Sequence, residues 1–336
     1  MAPDHQRRPA TQNDVAREVG VSRTLVSFAF RGAPGVSGET RQAILDAAKR
    51  LGYRPNAVAA DLARKHRSAV GLYLMDIRND VYADILNGVR SALPHERNRL
   101  ILSVSRTLDG VDRGAVDSLI EARMGIIIAA TLLDTDQQVH ELAQVVPLVS
   151  VARRVEGVDS IYSDDDAGAR AATEHLLALG HRRIAHVAGP EHHGHTVRRK
   201  SYERTMTGAG LVPHVVTAAD YTQEAGERAA YTLLDTPDRP TAIFTHNDQF
   251  ALGVREAAFA RGLKVPGDLS LVGYDNSRTA RLHGIDLTSI DLHALDLGRL
   301  AGETALERLN NPDAPVTDRR LMPQLVLRNS TAAPAP

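Results

Sequence analysis

The sequence predicts an all-α headpiece followed by an α/β core of two doubly wound parallel-sheet subdomains. Three observations predict it. Residues 11–32 read as two short capped helices joined by a tight turn. From residue 69, short apolar runs alternate with helical patterns almost to the end of the chain, the rhythm of buried parallel strands and their crossover helices. Charge divides at the same place: residues 1–67 hold 12 Lys and Arg against 6 Asp and Glu, a net +6, while the rest carries −7 within a formal total of −1.

The first stretch is TQNDVAREVGVSRTLVSFAFRG. Thr11 can accept the amide of Asp14, and the Asp14 carboxylate favours that helix end, so a helix starts here. Val15, Ala16 and Val19 share one face, and Gly20 can adopt the left-handed conformation that closes a helix. Ser22 caps a second helix in which Val26, Ala29 and Phe30 point inward while Arg23, Thr24, Ser27 and Arg31 face away. The small residues at the crossing fit a helix-turn-helix, although an amphipathic hairpin with no such role would share the pattern. A third helix is expected over about 38–51, capped by Ser37, with Ile44, Ala47, Ala48 and Leu51 buried and Gly52 at its end. Arg54-Pro55 cannot continue it, so a further short helix, AVAADLAR, follows Asn56 and leads into the charged linker Arg64-Lys65-His66-Arg67.

In the core, strands are expected at AVGLYLMDI, RLILSVS, MGIIIAA and PLVSVA, then at RIAHVAG, HVVTA, TAIFTH and LSLVGYD. Helix 294–310 and a strand at 321–327 complete the two halves. Open α/β sheets bind ligands beyond the carboxyl ends of their strands, so the facing edges should enclose a cleft.

Composition narrows the classes further. At 336 residues, with 43% hydrophobic and 24% charged residues, the chain is an ordinary globular protein of two to three domains. It has no cysteine, hence no disulfide framework. Residues 1–10 lack the apolar core of a secretory signal and no run approaches a membrane span, so a cytoplasmic, nucleoid-associated protein is expected. No P-loop, nucleophile elbow, dinucleotide fingerprint or zinc signature occurs. An enzyme is not expected, nor is a cofactor. Basic side chains gathered at one end can neutralise phosphates, whereas the acidic remainder would be repelled by DNA.

The motifs Asp14-Val15-Ala16, Gly20-Val21-Ser22, Val26-Ser27, Val36-Ser37, Thr40-Arg41, Leu51-Gly52-Tyr53, Pro55-Asn56 and Leu62-Ala63 make the chain similar to the LacI-type family of transcriptional regulators. The likeness runs through nearly the whole sequence. It implies a periplasmic-binding-protein-like core and a dimeric repressor on a pseudo-palindromic operator. The expected parts are a disordered tail at 1–10, the headpiece at 11–55, a hinge helix and linker at 56–67, the core at 68–329 and a disordered tail at 330–336. Within the core one subdomain would comprise about 68–163 with 291–322, the other about 164–290 with 323–329. The closing NSTAAPAP lacks the heptads of a tetramerising coiled coil.

The resemblance also implies the site residues. DNA contacts fall on Thr11, Ser22, Arg23, Thr24, Ser27, Phe28 and Arg31, and on Asn56, Ala59 and Leu62 of the hinge helix, where Leu62 would wedge between base pairs in the minor groove. Phe28 stands where relatives often carry Arg, and Arg31 where Asn is frequent. Arg23 can bond guanine bidentately, and Phe28 can meet a thymine methyl. The effector contacts would be Asn79, Tyr82, Asp164, Arg198, Tyr221, Asn247 and Asp275, a set of donors, acceptors and rings suited to a polyol. Asn247 and Asp275 could instead only cap the segments after them. Two positions depart from the family pattern: Asp80 replaces a Pro, and Ser150-Val151-Ala152-Arg153 lacks the carboxylate of V-x-x-D-R. A sugar is therefore the expected effector, with a nucleoside, phosphorylated metabolite or corepressor as the alternative. Glu191-His192-His193-Gly194-His195 and Asp164-Asp165-Asp166 read as a solvated loop and an acidic helix start, with no metal expected.

Overall fold

The computed structural model describes residues 8, 10–54, 69–94, 99–107, 112–191 and 196–335. The chain divides into two compact units, Met1–Arg67 and Ser68–Pro336. Asn56, Ala59 and Leu62 lie outside the described residues, as do the imidazoles of His192, His193 and His195.

The first unit holds α1 (Gln12–Val19), α2 (Arg23–Arg31) and α3 (Gly38–Leu51). Each starts on a hydroxyl cap, Thr11, Ser22 or Ser37, and Thr11 with Asp14 forms the full reciprocal box. Gly20 takes φ 75° at the end of α1, a conformation that costs a side-chain-bearing residue about 1 kcal/mol. That turn lets α2 fold back over α1. Between the helices Val15, Ala16, Val26, Ala29, Ile44, Ala47 and Ala48 are buried, and Phe30 and Tyr53 close the rim edge to face at 5.6 Å. Most of these residues are small, which lets three short helices share so thin a core. Leu51 does not join it: the residue is 36% exposed on the last turn of α3.

The second unit contains two six-stranded sheets. The first runs in the order β11-β5-β4-β3-β1-β2, all parallel, from β1 (Val70–Leu74), β2 (Leu100–Val104), β3 (Ile126–Ala130), β4 (Leu148–Val151), β5 (Asp159–Ser163) and β11 (Asp318–Leu321). The second runs β12-β10-β9-β8-β6-β7, from β6 (Ile184–Ala188), β7 (His214–Thr217), β8 (Ala242–Thr245), β9 (Ser270–Tyr274), β10 (Thr288–Asp291) and the antiparallel β12 (Gln324–Val326). Helices α4 (Asp80–Ala92), α5 (Arg113–Glu121), α6 (Asp136–Val145) and α11 (Ala294–Asn310) belong with the first sheet; α7 (Asp165–Ala178), α8 (Val197–Gly208), α9 (Gln223–Leu234) and α10 (Asp248–Ala260) belong with the second. The central strands β1, β3, β6, β8 and β9 carry Val, Ile, Leu, Ala and Phe and are buried along their length. Burial on both faces explains why these strands do not alternate with polar residues.

β1 is flanked by β2 and β3, and β6 by β7 and β8, so each sheet reverses its winding at that strand. Such reversals open a crevice at the strand ends. The chain passes between the sheets at 164, at 292–293 and at 322–323. The crossings are bonded to one another: the Asp164 amide donates to the Leu321 carbonyl at 2.9 Å, and His293 Nε2 lies 3.1 Å from the Met322 carbonyl.

Three features differ from the sequence expectation. β5 begins on a polar pair, Asp159-Ser160. The strand expected over 321–327 is two strands in different sheets, broken at Pro323, which has no N–H to donate. The segment expected to be a disordered tail is fixed over its first residues. Ser330 is 2% exposed and its hydroxyl donates to the Leu271 carbonyl at 2.6 Å. Ala332 accepts from His181 Nε2 at 2.8 Å and donates its N–H to Ser270 Oγ at 2.9 Å. The tail thereby satisfies polar groups beside β9 that burial would otherwise leave unpaired.

Candidate functional site

In the first unit, α2 presents one outward stripe. At roughly 100° per residue, Arg23, Ser27, Arg31, Thr24 and Phe28 fall within an arc of about 140°, away from buried Val26 and Ala29. Arg23, Thr24 and Arg31 are exposed; Ser27 and Phe28 are half-buried. Phe28 stays out of the cluster of core side chains that Phe30 joins. The guanidinium of Arg31 lies 5.3 Å from the Phe28 ring centre, and its Nε donates to the Ser27 carbonyl at 3.2 Å. Arg31 is thus laid along the helix over Phe28. Thr11 and Ser22 use their hydroxyls as caps, so what they offer outward is a helix N-terminus, an end that attracts anions. Hydrogen bonds from the Thr11 side chain and backbone hold the Asp14 carboxyl below its usual range.

In the second unit a cavity lies between the two sheets at their strand ends. Met75, Asn79, Val81, Tyr82, Ile85, Thr131 and Ala152 line it on one side; Asp165, Arg198, Tyr221, His246, Asn247 and Asp275 line it on the other, with Leu292 in the crossing between the sheets. The backbone is strained at several of these strand ends. Thr131 follows β3 at φ 64°, Ala152 follows β4 at φ 65°, and Asp275 and Asn276 follow β9 at φ 112° and 50°. Such conformations cost of order 1–3 kcal/mol each and persist only where the surroundings enforce them. Here each residue still donates its N–H to the neighbouring strand: Thr131 to Val151 O at 3.1 Å, Ala152 to Ile161 O at 3.0 Å, Asp275 to Ile290 O at 2.8 Å and Asn276 to Ser289 Oγ at 3.0 Å. The sheet ladders fix the turns and aim these side chains.

Arg198 occupies the centre of the polar wall. Its Nε lies 3.2 Å from Asp165, its Nη1 3.9 Å from Asp275, and Nη1 donates to the His246 carbonyl at 2.6 Å. The guanidinium carbon sits 3.6 Å over the Tyr274 ring, and the Tyr274 hydroxyl donates to Asp165 at 2.8 Å. Burial opposes the charge of Arg198, but Asp165, Tyr274 and Asp275 outweigh it and raise its pKa. Burial also raises Asp275 well above the usual carboxylate range, against the pull of Arg198. Tyr82 and Tyr221 are pushed upward by burial too, so both phenols are neutral donors.

Behind this wall Asp248 pins the loop that carries Asp275. Its two oxygens accept the Ser289 hydroxyl at 2.6 Å and the Ser277 amide at 2.7 Å. A Cβ on Gly273 would lie 2.1 Å from Asp248 Oδ1, so the absent side chain makes the approach possible. Burial pushes the Asp248 carboxyl up to about 6.

The fold thus brings together Asn79, Tyr82, Arg198, Tyr221, Asn247 and Asp275 from the sequence-derived set. Asn79 and Asn247 also cap helices, through Val81 N at 3.1 Å and Phe250 N at 2.9 Å. Asp164 does not line the cavity. It caps α7 through Ala167 N at 3.0 Å and faces Arg320 at 3.1 Å, while Asp165 turns inward and Asp166 pairs with Arg204. The three acids therefore serve three separate partners. Sequence reasoning missed Asp165, His246 and Thr131, and marked Ala152 only as the place where the family's carboxylate is absent. Only Asp165 left a signal, its place in the first turn of α7.

Residues 11–56 match the model of bacterial regulatory proteins of the lacI family, and residues 173–331 that of a periplasmic binding protein-like domain. Catabolite control protein A of Priestia megaterium is 34% identical over 325 residues, covering 95% of this chain and 98% of that protein. The lac repressor dimer bound to operator and the anti-inducer ONPF is 28% identical, with a TM-score of 0.82 over 97% of this chain and 100% of that one. A complex of the regulator CelR with cellobiose is also 28% identical, with a TM-score of 0.70 over 96% of this chain and 99% of that one. With a headpiece and a core that both match along almost their whole length, the chain belongs to the lacI family of bacterial regulatory proteins.

Proposed function

We propose that this regulator binds a pseudo-palindromic operator as a homodimer in the cytoplasm, acts as a repressor, and is switched by a small polyhydroxylated molecule in the cleft. The observation that carries the reading is the cleft built from both sheets: a ligand touching Asn79 and Tyr82 on one side and Arg198, Asn247 and Asp275 on the other must change the angle between them. The cavity has a volume of about 60 Å³, well below the roughly 150 Å³ that accommodates benzene in an engineered protein cavity. A sugar-sized ligand therefore enters only if the sheets separate or Arg198 moves. Effector binding and lobe geometry are then the same event, and the ligand shifts operator affinity to the extent that it prefers one geometry.

On the DNA side, Arg23 and Thr24 read base edges in the major groove, Phe28 meets a thymine methyl, and Arg31, Thr11 and Ser22 hold phosphates. Asn56, Ala59 and Leu62 act in the minor groove. We assign the cleft a binding role without catalysis. Ala152, in place of a carboxylate, supports a second reading in which the effector is not a simple sugar.

Fluorescence anisotropy of the intact chain on its own upstream DNA tests the assignment. Arg23→Ala should cost about 1–3 kcal/mol and relax preference at one base pair, as expected for loss of a bidentate guanine contact. Arg31→Ala should weaken all sequences alike and lower the salt slope by about 1. Equal, sequence-independent losses for both would remove Arg23 from direct readout.

A further inference from the structure

We propose that Asp80 is a positioning residue that clasps the two lobes of the core together, by capping from the first lobe a turn that belongs to the second. The inference rests on the proposed role of lobe geometry in switching. Asp80 opens α4, but α4 does not need it as a cap, because Asn79 already accepts the Val81 amide at 3.1 Å. The Asp80 carboxylate reaches instead to the loop that follows β9 in the second sheet. Its Oδ2 accepts the Thr279 amide at 3.1 Å and the Thr279 hydroxyl at 2.7 Å, across 199 positions of sequence.

Thr279 begins a single 3-10 turn, Thr279–Arg281, in the loop that also carries Asp275. The first amides of a helical turn have no partner inside it, and an oxygen placed there satisfies them. Within the loop Ser277 Oγ accepts the Ala280 amide at 3.2 Å, while Arg278, at the cap position, makes no side-chain cap bond. The Thr279 amide is thus left to Asp80. Charge supports the same pairing. Asp84, one turn further along α4, is raised by burial and pulled back by Arg281 and Arg278, and Arg281 is held in the loop by donating to the Asn276 carbonyl at 3.1 and 2.8 Å.

The family pattern has Pro at this place. Pro is accepted at the first position of a helix, so it would keep α4, but it has no oxygen to offer Thr279. Both bonds exist only at the present spacing of the lobes, since a separation of about 1 Å takes them out of hydrogen-bonding range. Opening the cleft must therefore break the clasp, and the clasp biases the core towards the closed geometry.

The chain contains no cysteine, so Gln137→Cys on α6 and Glu224→Cys on α9, both exposed, accept one dye pair across the lobes. Labelled intact chain, mixed with unlabelled chain in excess, reports lobe separation by single-molecule energy transfer without effector. Asp80→Pro and Asp80→Ala should each move the population towards the longer separation about tenfold, as expected for lost bonds to a charged group. Thr279→Val removes only the hydroxyl and should move it less; added to Asp80→Ala it should change nothing further, because both bonds end on Asp80. Asp80→Asn, which keeps an acceptor, should lie between Asp80→Ala and wild type. Separations unchanged in Asp80→Pro and Asp80→Ala overturn the clasp, and so does a Thr279→Val effect that persists in the Asp80→Ala background. A lower melting temperature with unchanged separations also overturns it, being all that a merely structural contact would give. The unlabelled variants are then titrated onto the upstream DNA by anisotropy. Separations that move while operator affinity stays fixed support the clasp and overturn instead the coupling of lobe geometry to operator binding.

Discussion

Asp248 shows how a single residue can serve the site at a cost to stability. It holds the Asp275 loop through Ser277 and Ser289, yet it does so as a carboxyl group buried almost completely, at 2% exposure. Burial raises its pKa from the ordinary carboxyl value of 3.8 to about 6. Well below pH 3.8 the group is protonated in both folded and unfolded chains and contributes no pH dependence. Between about 4 and 6 the unfolded chain loses this proton while the folded chain keeps it, so the folded state binds more protons and this term of stability falls as pH rises. Above 6 the term is constant. A shift of two units corresponds to about 3 kcal/mol at most. Asp248→Asn should therefore flatten the stability profile of the intact chain between pH 4 and 6 relative to wild type, measured by urea denaturation at matched ionic strength. Parallel profiles would mean that Asp248 ionises normally in the folded protein. Asp275 is raised for the same leading reason, so a residual slope of the same sign should remain in the variant.

At the scale of elements, the helix pair α4 and α11 is the rigid part of the first lobe. A Cβ on Gly88 would lie 2.1 Å from the Leu295 carbonyl oxygen, and one on Gly298 2.1 Å from the Ile85 carbonyl oxygen. Both contacts are with backbone, which has no rotamer to yield. Gly88→Ala should therefore destabilise by about 1–3 kcal/mol despite the better helix propensity of Ala. Because Tyr82 and Ile85 of α4 line the cleft, the same variant should weaken effector binding. A more stable variant in thermal unfolding would show that the helices cross less closely. How legible such elements were in the sequence depended on whether the signal was local. The headpiece helices carried their own caps and glycine stops, and the central strands were apolar throughout. β5 was hidden because Asp159 at its start is satisfied by partners far along the chain, while Ser160 bonds back to the turn just before it. Asp159 accepts from Arg308 at 2.9 Å and from Thr317 N at 2.7 Å, and Ser160 donates to Val158 O at 2.8 Å. In the site, Arg198, Asn247 and Asp275 were readable as polar residues at strand ends or helix starts. Which of three consecutive acids faces the cleft was not, since one position around the first turn of α7 decides between capping and lining. Thr131 is placed by a neighbouring strand and leaves no local mark.

At the scale of the whole molecule, charge and topology are separated. The net +6 of residues 1–67 against −7 elsewhere directs DNA to the headpiece, and the three short crossings at 164, 292–293 and 322–323 leave the two sheets as bodies able to rotate. Hydrogen bonds between the crossings, from Asp164 to Leu321 and between His293 and Met322, tie each of the other two to the one at 322–323. A regulator so built must obey linkage. If effector changes operator affinity by some factor, operator must change effector affinity by the same factor, typically about 5–150-fold. Two measurements on the intact dimer check this: operator binding by anisotropy with saturating effector, and effector binding by calorimetry with saturating operator, in the same buffer. Salt supplies a control, because counterion release changes operator affinity steeply while an uncharged ligand in the cleft is nearly indifferent to it. The two factors should agree at each salt concentration even as operator affinity falls. Factors that disagree would mean that the ligand meets DNA-bound protein at a second place, and a factor of one in both directions would leave the cleft uncoupled from the headpiece.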